Sequence, residues 1–227
     1  MSSILITGVT GNLGSAVATR FLKDNYEVFG IARKNDRLRF SGSSFHFIAA
    51  DLGDEDAGRQ AVETAIKAAG HLDVAVLTAG GFAAGDIHRM NRQQLREMMQ
   101  LNVETTLNAA RPIFSHMMEQ GSGRLFLTGA RTGLHMSQAK TAVAYGLSKS
   151  LIFHLAEILN AEAKNSNVVV SVIVPSIIDT PQNREAMPEA DYSSWVTPES
   201  IAETIYYYAG AAADSIREPV IKVYNKA

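Results

Sequence analysis

The stretch Ile4-Leu5-Ile6-Thr7-Gly8-Val9-Thr10-Gly11-Asn12-Leu13-Gly14 decides the architecture. Its first four residues read as a short buried strand. Glycines at every third position then turn the chain into an amphipathic segment, expected as a helix over 14–24. Further apolar runs follow at 27–32, 45–49, 74–78, 125–128, 168–174 and 220–224. Most are continuous rather than alternating, which fits strands covered on both faces. Helical patterns at 54–69, 92–119, 142–164 and 198–208 separate several of them. This alternation predicts an α/β Rossmann fold, a doubly wound parallel sheet of about seven strands, as one domain over 1–227. The longest stretch without a clear element is 177–197, with Pro181 and Pro188. It follows a strand's C-terminal end, where open α/β sheets bind ligands, and is expected to be a substrate loop or lid.

The 227 residues are 46% hydrophobic and 19% charged, enough for a full core. A net charge of −2 without blocks of like charge argues against a nucleic-acid or anionic-membrane partner. The absence of Cys excludes disulfides and thiolate metal sites. His46, His71, His88, His116, His135 and His154 have no metal-ligand spacing, so no metal is expected. No apolar run reaches the roughly 18 residues that span a bilayer. The N-terminus does not read as a signal peptide, and a cytoplasmic protein is the expectation.

Glycine at 8, 11 and 14 lets backbone N–H groups approach a pyrophosphate with no Cβ in the way, at a helix N-terminus whose dipole favours an anion. A bare βα turn has the same look. Where an acidic residue would select NAD, the second strand ends on Ala32, Arg33 and Lys34. Arg33 can pair with a 2′-phosphate, so NADP(H) is the expected cofactor, with NAD(H) possible. The alternative is two solvated surface cations. Asp51 either accepts from the adenine amino group or caps the next helix. Small residues at Ala79, Gly80 and Gly81 let a cofactor lie against the backbone. Tyr145 and Lys149, four apart, share a helix face, where an ammonium can lower the phenol's pKa and let it pass a proton.

In order and spacing, Thr7–Gly14, Asp51-Leu52, Thr78-Ala79-Gly80, Asn102, Tyr145-x-x-x-Lys149 and Pro175-Ser176-Ile177-Ile178-Asp179-Thr180 resemble the short-chain dehydrogenase/reductase family. The resemblance implies an oxidoreductase acting on a small molecule. Tyr145 would be its proton donor, Lys149 would tune it and hold the ribose, and Asn102 would hold a relay water. Cofactor contacts would run through Gly8, Thr10, Gly11, Asn12, Leu13, Gly14, Asp51, Leu52, Ala79, Gly80, Gly81, Pro175, Ile178 and Thr180. The 92–119 and Tyr145 helices would build the interface of a homodimer or homotetramer. The family's serine after the fifth strand is missing: the matching residue is Ala130, with Thr132 or Ser137 as replacements. Within the family, Ala79–Phe82, Thr128–Arg131 and 179–195 look like the quinoid dihydropteridine reductases, whose electron-poor acceptor needs less polarisation. The expected activity is hydride transfer between NADP(H) and an electron-poor carbonyl or quinonoid substrate. The alternatives are ordinary ketone or aldehyde reduction and a non-catalytic NADP-binding sensor or scaffold. Arg131 and Arg184 are candidates for an acidic group on the substrate.

Overall fold

A computed structural model describes residues 1–34, 38, 40 and 42–226. Seven parallel strands form one sheet: β1 (Ser3–Thr7), β2 (Glu27–Ala32), β3 (Phe45–Ala49), β4 (Val74–Leu77), β5 (Ser122–Thr128), β6 (Asn167–Pro175) and β7 (Val220–Val223). Their spatial order is β3-β2-β1-β4-β5-β6-β7. The order reverses between β1 and β4, the crevice where doubly wound sheets take ligands.

Successive strand residues point to opposite faces, so each strand feeds two cores. Leu5, Phe29, Leu77 and Leu125 pack on one side. That side is covered by α2 (Glu55–Ala69), α4 (Thr105–Gln120) and α6 (Val143–Glu162). Ile4, Ile6, Val28, Val76 and Phe126 pack on the other. There α1 (Asn12–Lys23) and α8 (Pro198–Ala209) close over them. Helix α1 buries Leu13, Val17 and Phe21 at four-residue spacing, one stripe toward the sheet. Each such large side chain fully withdrawn from water contributes about 1.5–3 kcal/mol.

The helix expected over 92–119 is broken. Helix α3 (Arg92–Met99) passes into a π-helical turn, Gln100–Glu104, before α4 begins. The break holds Asn102, which is fully buried. The turn after β5 forms a short α5 (Arg131–Leu134). The 177–197 stretch is structured too. Thr180 caps α7 (Pro181–Ala186), accepting from Asn183 N at 3.2 Å. A bridge between Ile178 and Val196 closes the base of the loop, and buried Trp195 anchors its end. Among the described residues no helix is long and apolar enough to cross a membrane.

Candidate active site

At the end of β1 the chain reverses around Gly8, whose φ of 66° is left-handed. A Cβ there would lie 2.9 Å from the Ala79 nitrogen, and one on Gly14 would collide with the Gly8 carbonyl. Glycine is thus required at both ends of the turn. Gly11 N–H donates to Gly8 O at 2.9 Å, and among the described residues no side chain caps α1. That leaves the first-turn N–H groups of α1 without a side-chain acceptor among the described residues, the arrangement that suits an anion. Thr78 Oγ1 donates to Thr7 O at 2.7 Å, tying the turn to the end of β4. A groove of about 1230 Å³ runs from Thr10, Gly11 and Asn12 to Asp179, Pro181 and Gln182. Asn12 Nδ2 crosses it to donate to Gln182 Oε1 at 2.8 Å. Leu13 turns its side chain into the core, so its contribution to the cradle is its backbone. Buried Pro175 and half-buried Ile178 and Thr180 line the start of the loop.

Asn102 joins the other side of the crevice. Its Oδ1 accepts from Gly81 N at 3.0 Å, and its Nδ2 donates to Gly81 O and Ser148 Oγ, each at 3.0 Å. Both amide hydrogens are therefore committed to holding the Gly80–Gly81 corner and α6 together. Buried Lys149 rises from α6 and donates to Thr128 O at 2.8 Å. Its Nζ is 3.6 Å from where a Cβ on Gly80 would stand. Tyr145, one turn earlier, is half-buried, with the Lys149 ammonium 6.0 Å from its ring centre. The exposed ring of Phe82 meets Tyr145 edge-on at 5.0 Å.

The electrostatics differ from the expectation that Lys149 lowers the Tyr145 pKa. Burial pushes Tyr145 up to about 12 and Lys149 down to about 8. Desolvation is the cause at both groups, and the ammonium is turned to Thr128 O instead of to the phenol.

Other expected residues sort as follows. Asp51 is not a helix cap: Asp54 caps α2, and Asp51 Oδ1 accepts from Gly53 N at 2.9 Å. Leu52 is buried in the core. Arg33 is exposed, two residues past the Ile31 that pairs with Thr7, and so stands at the cradle's edge. Ala130 is nearly buried in extended backbone before α5, with only a methyl group to offer. Thr132 Oγ1 is shut off from solvent without a hydrogen-bond partner among the described residues. Ser137 lies on an exposed 3₁₀ turn. Arg184 is not available for a substrate acid: Asp179 holds it bidentately at 2.6 and 2.8 Å, and its guanidinium stacks on Tyr192. Among the described residues no group of three His, Asp or Glu comes together for a metal. The residue pattern did not disclose the Ser148 hydroxyl, which accepts from Asn102; only its position one residue before Lys149 hinted at it.

A 3-2-1-4-5-6-7 parallel sheet, a glycine cradle at its switch point and a Tyr-x-x-x-Lys turn facing it define an NAD(P)-dependent dehydrogenase or reductase. The chain belongs to the short chain dehydrogenase family, whose model matches residues 2–191. It is 29% identical over 188 residues to an acetoacetyl-CoA reductase of Acinetobacter sp. (strain RA3849), covering 78% of this chain and 74% of that protein. Among solved structures, a short-chain type dehydrogenase/reductase from Mycobacterium ulcerans superposes with a TM-score of 0.89 at 23% identity, over 99% of this chain and 89% of that one. ElxO with NADP bound superposes with a TM-score of 0.88 at 23% identity, over 98% and 96%.

Proposed function

We propose that this protein is an NADP(H)-dependent reductase of electron-poor carbonyl or quinonoid, dihydropteridine-like acceptors, with Tyr145 as proton donor. One observation carries the reading: Lys149 and Asn102 converge on the Gly80–Gly81 corner beside Tyr145, while residue 130 offers no hydroxyl. A nicotinamide dinucleotide supplies the hydride. The chain's residues supply the rest. The α1 N-terminus receives the pyrophosphate, and Arg33 pairs with the 2′-phosphate. Lys149 spends one hydrogen on Thr128 O and has two left for ribose hydroxyls. Thr180 stands at the loop's root for the carboxamide. Tyr145, with its pKa near 12, keeps its proton at neutral pH and so holds it ready for an acceptor that gains a hydride. A relay water at Asn102 would meet the second lone pair of Oδ1 or the backbone, since the amide hydrogens are committed. The 177–197 loop is the lid over this space. Exposed Phe82 presents a ring edge to a planar acceptor. Support for NADP comes from Arg33 and from the shared fold of ElxO, which was solved with NADP bound.

Ordinary ketone reduction is the second reading. It is favoured by the Thr132 hydroxyl, unpartnered among the described residues, and by similarity to an acetoacetyl-CoA reductase. We take the assembly to be a homodimer or homotetramer through α4 and α6, where Leu107, Leu147, Leu151 and Ile158 are exposed.

The test is a titration with NADPH and NADH followed by addition of quinonoid dihydropterin or, separately, a simple ketone. Tighter NADPH binding with rapid oxidation by the dihydropterin is expected. Oxidation by the ketone alone selects the second reading, and oxidation by neither sinks both. Arg33→Ala should cost about tenfold in NADPH affinity and leave NADH affinity within about twofold, as loss of one charge-assisted contact predicts.

A further inference from the structure

Arg131, one of the two arginine candidates for an acidic group on the substrate, and Tyr224 have no partner in the site described so far. Arg131 opens α5 one residue after Ala130, and its guanidinium carbon lies 4.8 Å from the centre of the Tyr224 ring. Neither its Nε nor the Tyr224 hydroxyl reaches solvent, and neither has a hydrogen-bond partner among the described residues. No carboxylate pairs with Arg131 among those residues, whereas the two other described arginines that are not exposed, Arg20 and Arg124, each reach one. Buried polar groups are almost always paired, and an orphaned donor on a charged group is among the costlier exceptions. Guanidinium offers donors only, and burial raises the Tyr224 pKa, so the phenol also keeps its proton. One positive charge and two donors without a partner among the described residues are complementary to an oxyanion.

The pair's position says whose oxyanion it is. Helix α5 lies directly on the Tyr145–Lys149 turn: a Cβ on Gly133 would stand 2.6 Å from the Lys149 carbonyl carbon. On the other side, Tyr224 O accepts from Ser176 Oγ at 2.9 Å, and Ser176 directly precedes the 177–197 loop. Arg131 and Tyr224 thus stand between the Tyr-Lys turn and the loop's root, at the C-terminal edge of the sheet. We propose that they form a recognition site for an anionic oxygen group, carboxylate or phosphate, carried by the substrate. The proposal rests on the reductase reading above for the nature of the acceptor.

The experiment compares a benzoquinone bearing a carboxymethyl group with its methyl ester, each as acceptor from NADPH, in wild type, Arg131→Met and Tyr224→Phe. The wild type should favour the acid by about 10–100-fold in kcat/KM, the range expected of charge-assisted hydrogen bonds. Arg131→Met should bring the ratio close to one, and Tyr224→Phe should lower it part of the way. A ratio is insensitive to general damage, so an unchanged ratio in Arg131→Met overturns the site, and a wild-type ratio of one overturns its assignment to the substrate. If Arg131→Met does not fold, Arg131→Lys replaces it and must still reduce the ratio.

If neither quinone is reduced, the reductase reading is still decided by the dihydropterin and ketone test above, and calorimetry with benzoate decides the site alone. Binding weakened at least about tenfold in Arg131→Met supports it, and equal or absent binding in wild type overturns it. Inorganic phosphate is the remaining arm. If it binds in an Arg131-dependent way while acid and ester are handled alike, the site serves a free anion and the substrate assignment falls.

Discussion

The two walls of the crevice are made of different material. The β1–α1 wall is backbone: its shape follows from a left-handed Gly8, a Gly14 with no room for a side chain and a helix end that no side chain caps. The β5–α6 wall is side chains: Lys149 on Thr128 O, Asn102 on Gly81 and Ser148, and Tyr145 against Phe82. A backbone site is complete once the chain has folded. A side-chain site depends on burial and on partners, and here burial sets its pKa values against the direction a Tyr-Lys pair alone would give. The difference predicts that damage to the first wall weakens binding and folding together, while damage to the second removes chemistry and leaves the fold.

The largest expected effect is on the second wall. Tyr145→Phe should cut kcat by about 10²–10⁴-fold, the usual worth of a general acid, with NADPH affinity and melting temperature nearly unchanged. Steady-state kinetics beside a fluorescence titration checks this, and full activity in the variant would end the proton-donor assignment. On the first wall, Gly14→Ala drives a methyl group into the Gly8 carbonyl. It should lose about 1–3 kcal/mol of stability and at least about tenfold in dinucleotide affinity, seen by denaturant unfolding and by titration. Unequal losses, with binding intact and stability gone, would separate what the comparison joins.

Ala130→Ser adds the hydroxyl that the second wall lacks. Simple ketones should gain about tenfold or more in kcat/KM, and a quinonoid acceptor should gain little. An equal gain for both would mean that electron deficiency in the acceptor does not explain the alanine.

The smallest effect is on pH dependence. Lys149 goes from 10.5 in the unfolded chain to about 8 in the folded one, so between pH 8 and 10 the unfolded chain holds more protons. Its contribution to stability therefore rises with pH over that window, by at most about 1.4 kcal/mol per pH unit. Tyr145 acts oppositely, but only above pH 10, because its pKa rises from 10.0 to about 12 on folding. Denaturation midpoints at pH 8 and pH 10 should therefore rise less, or fall more, in Lys149→Met than in wild type.

Most of the sheet was legible because strands covered on both faces leave continuous apolar runs, and the glycine spacing marked the turn. Element boundaries moved by one to three residues, as at β5, which starts at Ser122. What stayed hidden had no periodic signal. The π-helical turn changes hydrogen-bond register over Gln100–Glu104, and a stretch as short as Leu101-Asn102-Val103 carries too few residues for the phase change to show. Helices α5 and α7, of four and six residues, are too short for periodicity to register. The Asn102 and Lys149 side chains could be named as important, but their partners Ser148 and Thr128 are tertiary matters. Asp51 and Asp54 compete for one cap, and composition does not say which wins.

The π-helical turn also makes chain length itself a functional quantity. One residue more within the hydrogen-bonded span than in an α-helix offsets everything downstream by about 100° in phase. Asn102 sits within that offset, and α4 carries Ala109, Ile113 and Met117 to the core in the phase that results. Removing one residue between 100 and 104 would restore an uninterrupted helix and misalign either the asparagine or the core stripe. Loops elsewhere absorb insertions and deletions by changing shape. This segment has no such slack, because its count works like the tooth number of a gear.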